Sequence, residues 1–170
     1  GIYQETEVSD AAATIASDDY VSIGQEWDTN PSNYWNGKIT NVRIYNRVVS
    51  SEEILSIYNY EKGSKLPIQE SLLNHWRMDD GSGSTVIDVT ERRQHGTITN
   101  ATWISNQEVG TCLSFDGSGD YVSTSTTITG NAERSLSAWI YPKDVTSVAI
   151  ASWGNNVSGE ASIFQLNSSS

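Results

Sequence analysis

The sequence predicts an all-β protein that folds as an antiparallel sandwich with one short helix. Runs in which apolar and polar residues alternate occur at positions 20–23, 37–45 and 135–141, and a period of two is typical of strands that bury one face. Asn36-Gly37 and Asp116-Gly117 stand at the ends of such runs, and glycine tolerates the positive φ of tight turns. Several short strands at regular spacing favour a sandwich.

One helix is predicted directly after the strand at 37–45. Ser50-Ser-Glu-Glu53 offers a serine N-cap and two acids in the first turn, and an apolar stripe follows at Ile54, Leu55, Ile57 and Tyr58. The helix is expected to be about two turns long and to lie against the sandwich. Glu52 and Glu53 are interpreted as partners of the helix dipole and not as catalytic acids.

Composition limits the classes of partner. The chain of 170 residues has a formal net charge of −11, from 10 basic and 21 acidic residues. Such a surface repels phosphate backbones and anionic lipid headgroups, so no nucleic-acid partner is expected. No apolar run approaches the roughly 18 residues of a membrane helix, so no membrane insertion is expected. Cys112 is the only cysteine, which excludes an intrachain disulfide, and its apolar surroundings predict a buried core residue.

Two groups of motifs resemble the laminin-G-like branch of the concanavalin A-like lectin and glucanase family. The stretch Tyr34–Tyr58 is similar to the closing part of that domain. Leu73–Gly83, His95-Gly-Thr97 and Leu113–Val122 are similar to its opening part. The resemblance implies an antiparallel jelly-roll β-sandwich, and it implies that the end of one module precedes the beginning of the next.

The polar segment 61–70, which contains Gly63 and Pro67, interrupts the strand pattern and marks the predicted boundary. We therefore expect residues 1–61 to be the C-terminal part of a first module, residues 62–71 a linker, and residues 72–170 the N-terminal part of a second module. A sandwich divided through its central strands leaves unpaired edges. The chain is then a piece of a longer tandem array, or the sandwich closes on itself, or residues 72–170 of one copy are completed by residues 1–60 of a neighbouring copy in a head-to-tail assembly.

A calcium site is implied by a second resemblance. Ile23-Gly-Gln-Glu-Trp-Asp28 is similar to the calcium-binding segment of pentraxins, which share the sandwich, and their remaining ligands come from a region that resembles Trp153–Glu160. Hard oxygen ligands on irregular loops suit an ion with six to eight ligands. A solvated acidic turn is the alternative, and Asp116–Asp120 is either a second cation loop or a tight turn. The resemblance implies these ligands: Glu26, the carbonyl of Trp27, Asp28, Asn155, Asn156 and Glu160.

Aromatic residues near these segments are candidates for stacking on sugar rings, because apolar pyranose faces pack on aromatic side chains. The same residues could instead belong to the core. The candidates for carbohydrate binding are Trp27, Tyr34, Trp35 and Trp153. Three further tryptophans fall in strand patterns and are expected in the core: Trp76, Trp103 and Trp139.

Catalysis is not expected. Glucanases that share this sandwich use two glutamates, one as nucleophile and one as general acid. Glu26-Trp-Asp28 begins their motif, but Asn30 and Pro31 stand where the second glutamate is required. No acid is then available to protonate the leaving oxygen.

These observations favour a non-catalytic binding or adhesion module that is secreted or displayed on a cell or virion surface. Its expected partners are a glycan or a surface glycoprotein, with calcium as a possible cofactor, and neighbouring copies of the same module. The alternative is a structural repeat of a surface filament, fibre or virion appendage. A third hypothesis is the ancillary domain of a large carbohydrate-active enzyme.

Overall fold

A computed structural model describes residues 6–8, 20–26, 31–60, 71–106, 110–128, 133–143, 145–154 and 161–166. The described residues form two antiparallel β-sheets and one helix. The predicted fold class, an antiparallel β-sandwich with one short helix, is confirmed. Within these ranges no helix has the length and apolar character needed to cross a membrane.

The strands are numbered in chain order. Sheet A contains β1 (Thr6–Val8), β3 (Asn36–Tyr45), β4 (Leu72–Trp76), β7 (Thr102–Asn106), β8 (Gly110–Asp116) and β10 (Ser135–Pro142). Sheet B contains β2 (Tyr20–Ile23), β5 (Thr85–Val86), β6 (Gly96–Thr99), β9 (Tyr121–Thr127), β11 (Val148–Gly154) and β12 (Ala161–Leu166). The spatial order is β1-β10-β3-β8-β7 in sheet A, with β4 also paired to β3, and β12-β11-β2-β9-β6-β5 in sheet B.

Strand β3 lies at the centre of sheet A. One edge pairs with β10, while the other edge pairs with β8 along its first residues and with β4 along its last residues. Between these two stretches Asn41 has a φ of 53° and donates its backbone N–H to the carbonyl of Arg77 at 3.0 Å. Asparagine tolerates this left-handed conformation better than most residues, so the strand can shift register here and serve two neighbours.

Strands from residues 20–60 lie between strands from residues 71–166 in both sheets. In sheet B, β2 separates β11 from β9, and in sheet A, β3 separates β10 from β8 and β4. Residues 20–60 therefore supply strands inside both sheets, β2 and β3, whereas β1 lies at the edge of sheet A and residues 71–166 supply the other strands. The assignment of residues 1–61 and 72–170 to two successive modules stays a prediction, but within this chain the two parts share both sheets.

The hydrophobic core lies between the sheets and is drawn from both parts of the chain. Alternation places Ile39 of β3 inward before the irregularity at Asn41, and Val42 and Ile44 inward after it, and it places every second residue of β9 inward. Cys112 is buried as expected, and burial raises the pKa of its thiol. The largest fully buried apolar side chains of the main core are Trp35, Trp76, Phe115, Ile23, Ile39, Ile44, Met78, Leu113 and Ile150.

Helix α1 (Ser51–Tyr60) is capped as the sequence predicted. The backbone N–H of Glu53 donates to Ser50 Oγ at 3.3 Å, and the Glu53 carboxylate accepts from the Ser50 N–H at 2.8 Å. The Arg47 guanidinium holds both Glu53 oxygens at 2.6 Å, which lowers the pKa of Glu53 to about 2. On the opposite side Ile57 packs with Tyr45 and Val49 in a second, smaller hydrophobic cluster. The helix is thereby fixed beside the end of β3.

A buried carboxylate fixes the turn that joins β5 to β6. Asp88 is fully buried and accepts hydrogen bonds from Asn74 Nδ2 at 2.7 Å and from the backbone N–H groups of His75, Thr90 and Gln94 at 3.0–3.1 Å. The Thr90 hydroxyl donates a further bond at 3.0 Å. A carboxylate with several donors is stable inside a protein, whereas an unpaired one is not. Asp88 therefore connects β4 of sheet A to the turn between β5 and β6 of sheet B.

Replacing His75 by glutamine should make the free energy of unfolding less dependent on pH at acidic pH. Burial, assisted by the cations Arg43 and Arg77, lowers the pKa of His75 from its ordinary 6.5 to about 3. Between these values the unfolded chain binds a proton that the folded chain excludes. The free energy of unfolding therefore falls as the pH falls through this window, by up to about 1.4 kcal/mol per pH unit.

Urea denaturation at pH 7, 6 and 5 measures this effect. Glutamine can keep the hydrogen bond that His75 Nε2 makes with Asn41 Oδ1 at 3.1 Å. Equal slopes in wild type and the His75→Gln variant would show that His75 does not control this pH dependence.

Candidate functional site

The chain leaves β2 through a sharp bend and forms a loop on the β11 side of sheet B. Gly24 has a φ of 89°, its N–H donates to the carbonyl of Ile150 at 2.8 Å, and its carbonyl accepts from the Trp35 N–H at 2.9 Å. Glu26 and Ser32 exchange two backbone hydrogen bonds of 3.1 and 3.3 Å, which close the neck of the loop. We call residues 24–26 and 31–35 the rim segment. It positions every predicted site residue between 26 and 35 that the structure describes.

Glu26 presents a partly exposed carboxylate at this neck. Its Oε2 atom accepts from the Ser32 hydroxyl at 3.4 Å and from the Asn33 side-chain amide. Both donors are neutral, and no donor among the described residues reaches Oε1. The carboxylate is thus oriented by the neck without being neutralised by a cation there. Such an oxygen is chemically suited to a metal ion or to sugar hydroxyls.

Gln25 lies beside Glu26 and is fully buried. Its Nε2 atom donates to Ser22 Oγ at 3.0 Å, while its Oε1 atom is buried without a hydrogen-bond partner. Its backbone carbonyl accepts from Ser152 Oγ at 2.8 Å. A buried acceptor without a donor costs about 1–3 kcal/mol. Sequence reasoning missed both Gln25 and Ser152, because nothing in their spacing indicates that they meet.

The remaining predicted calcium ligands lie outside the described residues. These are Trp27, Asp28, Asn155, Asn156 and Glu160. The Ser152–Gln25 bond nevertheless joins the two segments that lead to them, since it lies three residues before Asp28 and three before Asn155. Three residues reach at most about 10 Å. Within the ranges that the structure describes, no group of three or more His, Cys, Asp or Glu side chains could hold a metal ion.

The predicted sugar-stacking aromatics fall into different environments. Trp35 is 0% exposed and Trp153 is 4% exposed, and both belong to the hydrophobic core. Because neither ring has a free face, the structure gives both a packing role in place of the predicted stacking role. Tyr34, in the rim segment, is half-buried, and Trp27 lies outside the described residues.

An outward-facing aromatic pair was also missed. Trp139 was expected in the core, but its neighbours Ala138 and Ile140 point inward, so Trp139 lies on the outer face of sheet A. Its ring stacks on Tyr58 of α1, with 5.5 Å between centroids. Tyr141 follows on the same face, with Lys38 Nζ 4.8 Å from its ring centroid. The alternation in Trp139-Ile-Tyr141 was the sequence signal that could have indicated the outward orientation of Trp139.

Of the other two tryptophans expected in the core, Trp76 is fully buried and Trp103 packs against the core while partly exposed.

The Asp116–Asp120 segment forms a tight turn that uses its own carboxylates. Asp116 Oδ1 accepts from the Ser118 N–H at 2.8 Å, and Asp120 Oδ2 accepts from the Asp116 N–H at 2.8 Å. Asp120 is buried, which raises its pKa. The hydrogen bonds favour the turn interpretation of this segment over the cation loop.

The two antiparallel sheets that hold the rim segment define the class of protein, an antiparallel β-sandwich of the jelly-roll type. Residues 1–55, about a third of the chain, match the laminin G family model described as the concanavalin A-like lectin/glucanases superfamily. The resemblance inferred from the sequence is confirmed over these residues. No curated protein and no solved structure shows significant similarity to the chain.

Replacing Gly24 by alanine should destabilise the protein more than replacing Gly83. Both glycines have positive φ, 89° and 84°, so alanine costs about 1–2 kcal/mol at either position. Only at Gly24 would the new Cβ collide with a side chain, 2.5 Å from the ring of Phe115, whereas nothing lies within 4 Å at Gly83. Overpacking adds about 1–3 kcal/mol. Chemical denaturation measures the free energy of unfolding of both variants. Equal losses would show that the contact between the new Cβ and Phe115 adds no destabilisation.

Proposed function

We propose that the chain is a non-catalytic binding module that binds glycans, free or on a glycoprotein, at the rim segment. The observation that carries the proposal is the Glu26–Ser32 neck, where the Glu26 carboxylate meets the exposed Asn33 amide and has no cationic partner among the described residues, with the partly exposed Tyr34 next in the chain. The family match over residues 1–55 supports a carbohydrate-binding or adhesion role. We propose, in keeping with such a role, that the protein acts outside the cell as a secreted or surface-displayed molecule.

Recognition of a sugar at the rim segment would combine two kinds of contact. The half-buried ring of Tyr34 offers an apolar face for a pyranose ring. The Glu26 carboxylate can accept hydrogen bonds from sugar hydroxyls, and the exposed Asn33 amide can donate and accept them. Trp27 and Asp28 follow Glu26 in the chain and are proposed to extend this set. Catalysis forms no part of the proposal, because Asn30 occupies the position of the second catalytic glutamate.

Calcium is proposed as the ion that orders this loop. The donor chemistry fits, because Glu26 has a partly exposed carboxylate and the Gln25 Oε1 atom lacks a donor. The residues that would hold the ion are Glu26, the carbonyl of Trp27, Asp28, Asn155, Asn156 and Glu160. Since the segments that lead to these residues touch through Gln25 and Ser152, one ion could connect them.

A second candidate is a structural repeat of a filament, fibre or virion appendage. The interleaving of residues 20–60 with residues 71–166 favours it, because the two parts are complementary and could complete each other between neighbouring copies. Head-to-tail assembly would then set the length and stiffness of the polymer. Electron microscopy of the purified chain distinguishes fibres from single particles.

Calcium should stabilise the wild-type protein and fail to stabilise an Asp28→Asn variant. A bound ion at 100 times its dissociation constant adds about 2.7 kcal/mol, which corresponds to a rise of roughly 5–10 °C in the melting temperature of a domain of this size. Scanning calorimetry in CaCl₂ and in EDTA measures the rise. Asp79→Asn is the matched control, because Asp79 is an exposed partner of Arg77 in a surface ion pair. An equal rise in all three proteins would place the ion elsewhere.

A Tyr34→Ala variant should lose at least tenfold in affinity for any glycan that the wild type retains on a broad array. The reason is the loss of the stacking face at the rim segment. Tyr20→Ala is the control, since Tyr20 is 53% exposed on β2 and lies outside the rim segment. Absence of glycan binding by the wild type, or unchanged affinity in Tyr34→Ala, would contradict the proposed site.

A further inference from the structure

We propose that Asn100 is an N-glycosylation site and that the attached oligosaccharide shields the edge strand β7. Asn100-Ala-Thr102 is an acceptor sequon, with a threonine hydroxyl two residues after the asparagine. In the reaction Asn100 Nδ2 bonds to the anomeric carbon of a lipid-linked oligosaccharide and loses one proton, and the lipid pyrophosphate leaves with the electrons of the broken C–O bond. The export that exposes the chain to the transferase rests on the proposed extracellular function, whereas the site rests on the geometry of the turn.

The structure places the acceptor side chain at the apex of a tight turn between the two sheets. Asn100 joins β6 of sheet B to β7 of sheet A, has a φ of 60° and is exposed. The Ala101 N–H donates to the carbonyl of Thr99 at 2.7 Å, which closes the turn over three residues. Ala101 is buried in the core, whereas Thr102 is exposed. The alanine therefore anchors the sequon while the asparagine and threonine side chains remain open to solvent.

The modified amide would keep its contact with the neighbouring turn. Asn100 Nδ2 donates to the Gly119 carbonyl at 3.0 Å. A side-chain amide has two N–H hydrogens, and glycosylation replaces only one of them. A Cβ built on Gly119 would lie 3.6 Å from Asn100 Nδ2, and apart from its chain neighbours no other described residue would lie within 4 Å, so this side of the site is open. The folded sandwich can therefore accommodate a glycan on Asn100.

The glycan would lie beside an open edge of sheet A. Strand β7 begins two residues after Asn100 and stands at one end of the strand order in the described part of the chain. Its sequence, Thr102–Asn106, contains no charged residue and no proline, and it pairs with β8 without a register shift. A regular, uncharged edge favours pairing with a strand of another chain unless something covers it. A bulky, hydrated oligosaccharide at the start of β7 provides such a cover.

Site mapping after secretion tests the modification. The chain is produced with a secretion signal in cells that glycosylate exported proteins and is treated with a peptide N-glycosidase in heavy-oxygen water, which converts each glycosylated asparagine into a labelled aspartate. Mass spectrometry should find the label at position 100 in the wild type and in Thr102→Ser, which keeps the hydroxyl, but not in Thr102→Ala. The label is assigned peptide by peptide, because further sequons begin at Asn156 and Asn167, outside the described residues. A secreted wild type with unmodified Asn100 would overturn the proposal.

Self-association of the secreted proteins measures the role of the glycan. Light scattering over a range of concentrations should show monomers for the wild type and Thr102→Ser, and dimers or larger species for Thr102→Ala, which lacks the glycan. Adding Ser105→Lys to Thr102→Ala should restore the monomer, because Ser105 is an exposed residue of β7 and a lysine on an edge strand opposes pairing. A Thr102→Ala protein that stays monomeric, or that associates equally well with Ser105→Lys, would contradict shielding of β7.

Failure of this proposal and failure of the proposed function give different results. Because the experiment supplies the secretion signal, an unmodified Asn100 refutes the modification and leaves glycan binding at the rim segment unaffected. Absence of binding on a glycan array refutes the binding site and leaves the modification of Asn100 intact.

Discussion

The pairing of β3 with three other strands is the constraint on which the rest of the molecule depends. Its ladder with β10 on one edge and with β8 and β4 on the other makes sheet A continuous. The same strand places Trp35 in the core at one end and α1 beside the sheet at the other. Antiparallel register also determines which face each side chain occupies, so a slip of one residue would turn the buried face of β3 outward.

The rim segment inherits its position from this arrangement. It is held by backbone bonds to β11, from Gly24 N–H to Ile150 and from Ala149 N–H to Asn33, each at 2.8 Å. Because β11 belongs to the second part of the chain, the candidate site exists only where the two parts meet. A ligand that orders this region would therefore also strengthen their association, since it binds the assembled form alone.

The sequence predicted what depends on local patterns and missed what depends on strand partners. Alternation and turn residues indicated the fold class, and Ser50 with Glu53 indicated the start of α1. Alternation does not say which strands pair, so the interleaving of the two parts followed only from the structure.

Alternation also leaves the environment of an aromatic residue open, since it shows which residues share a face but not what covers that face. Trp35 and Trp153 proved buried while Trp139 faces outward. Within the candidate site, Glu26 was foreseen from a motif, whereas Gln25 and Ser152 meet through a tertiary contact that no spacing reveals.

The hydrogen bonds around Asp88 imply tolerance of high ionic strength. This carboxylate is held by backbone and side-chain groups that carry no charge, and it is shielded from solvent. Dissolved ions weaken exposed pairs such as Arg77–Asp79, but they do not screen a buried anion surrounded by fixed dipoles. They also reduce the repulsion within a chain of net charge −11. High salt concentrations should therefore leave the Asp88 hydrogen bonds between the two sheets intact, a property useful to a protein that works in a saline environment.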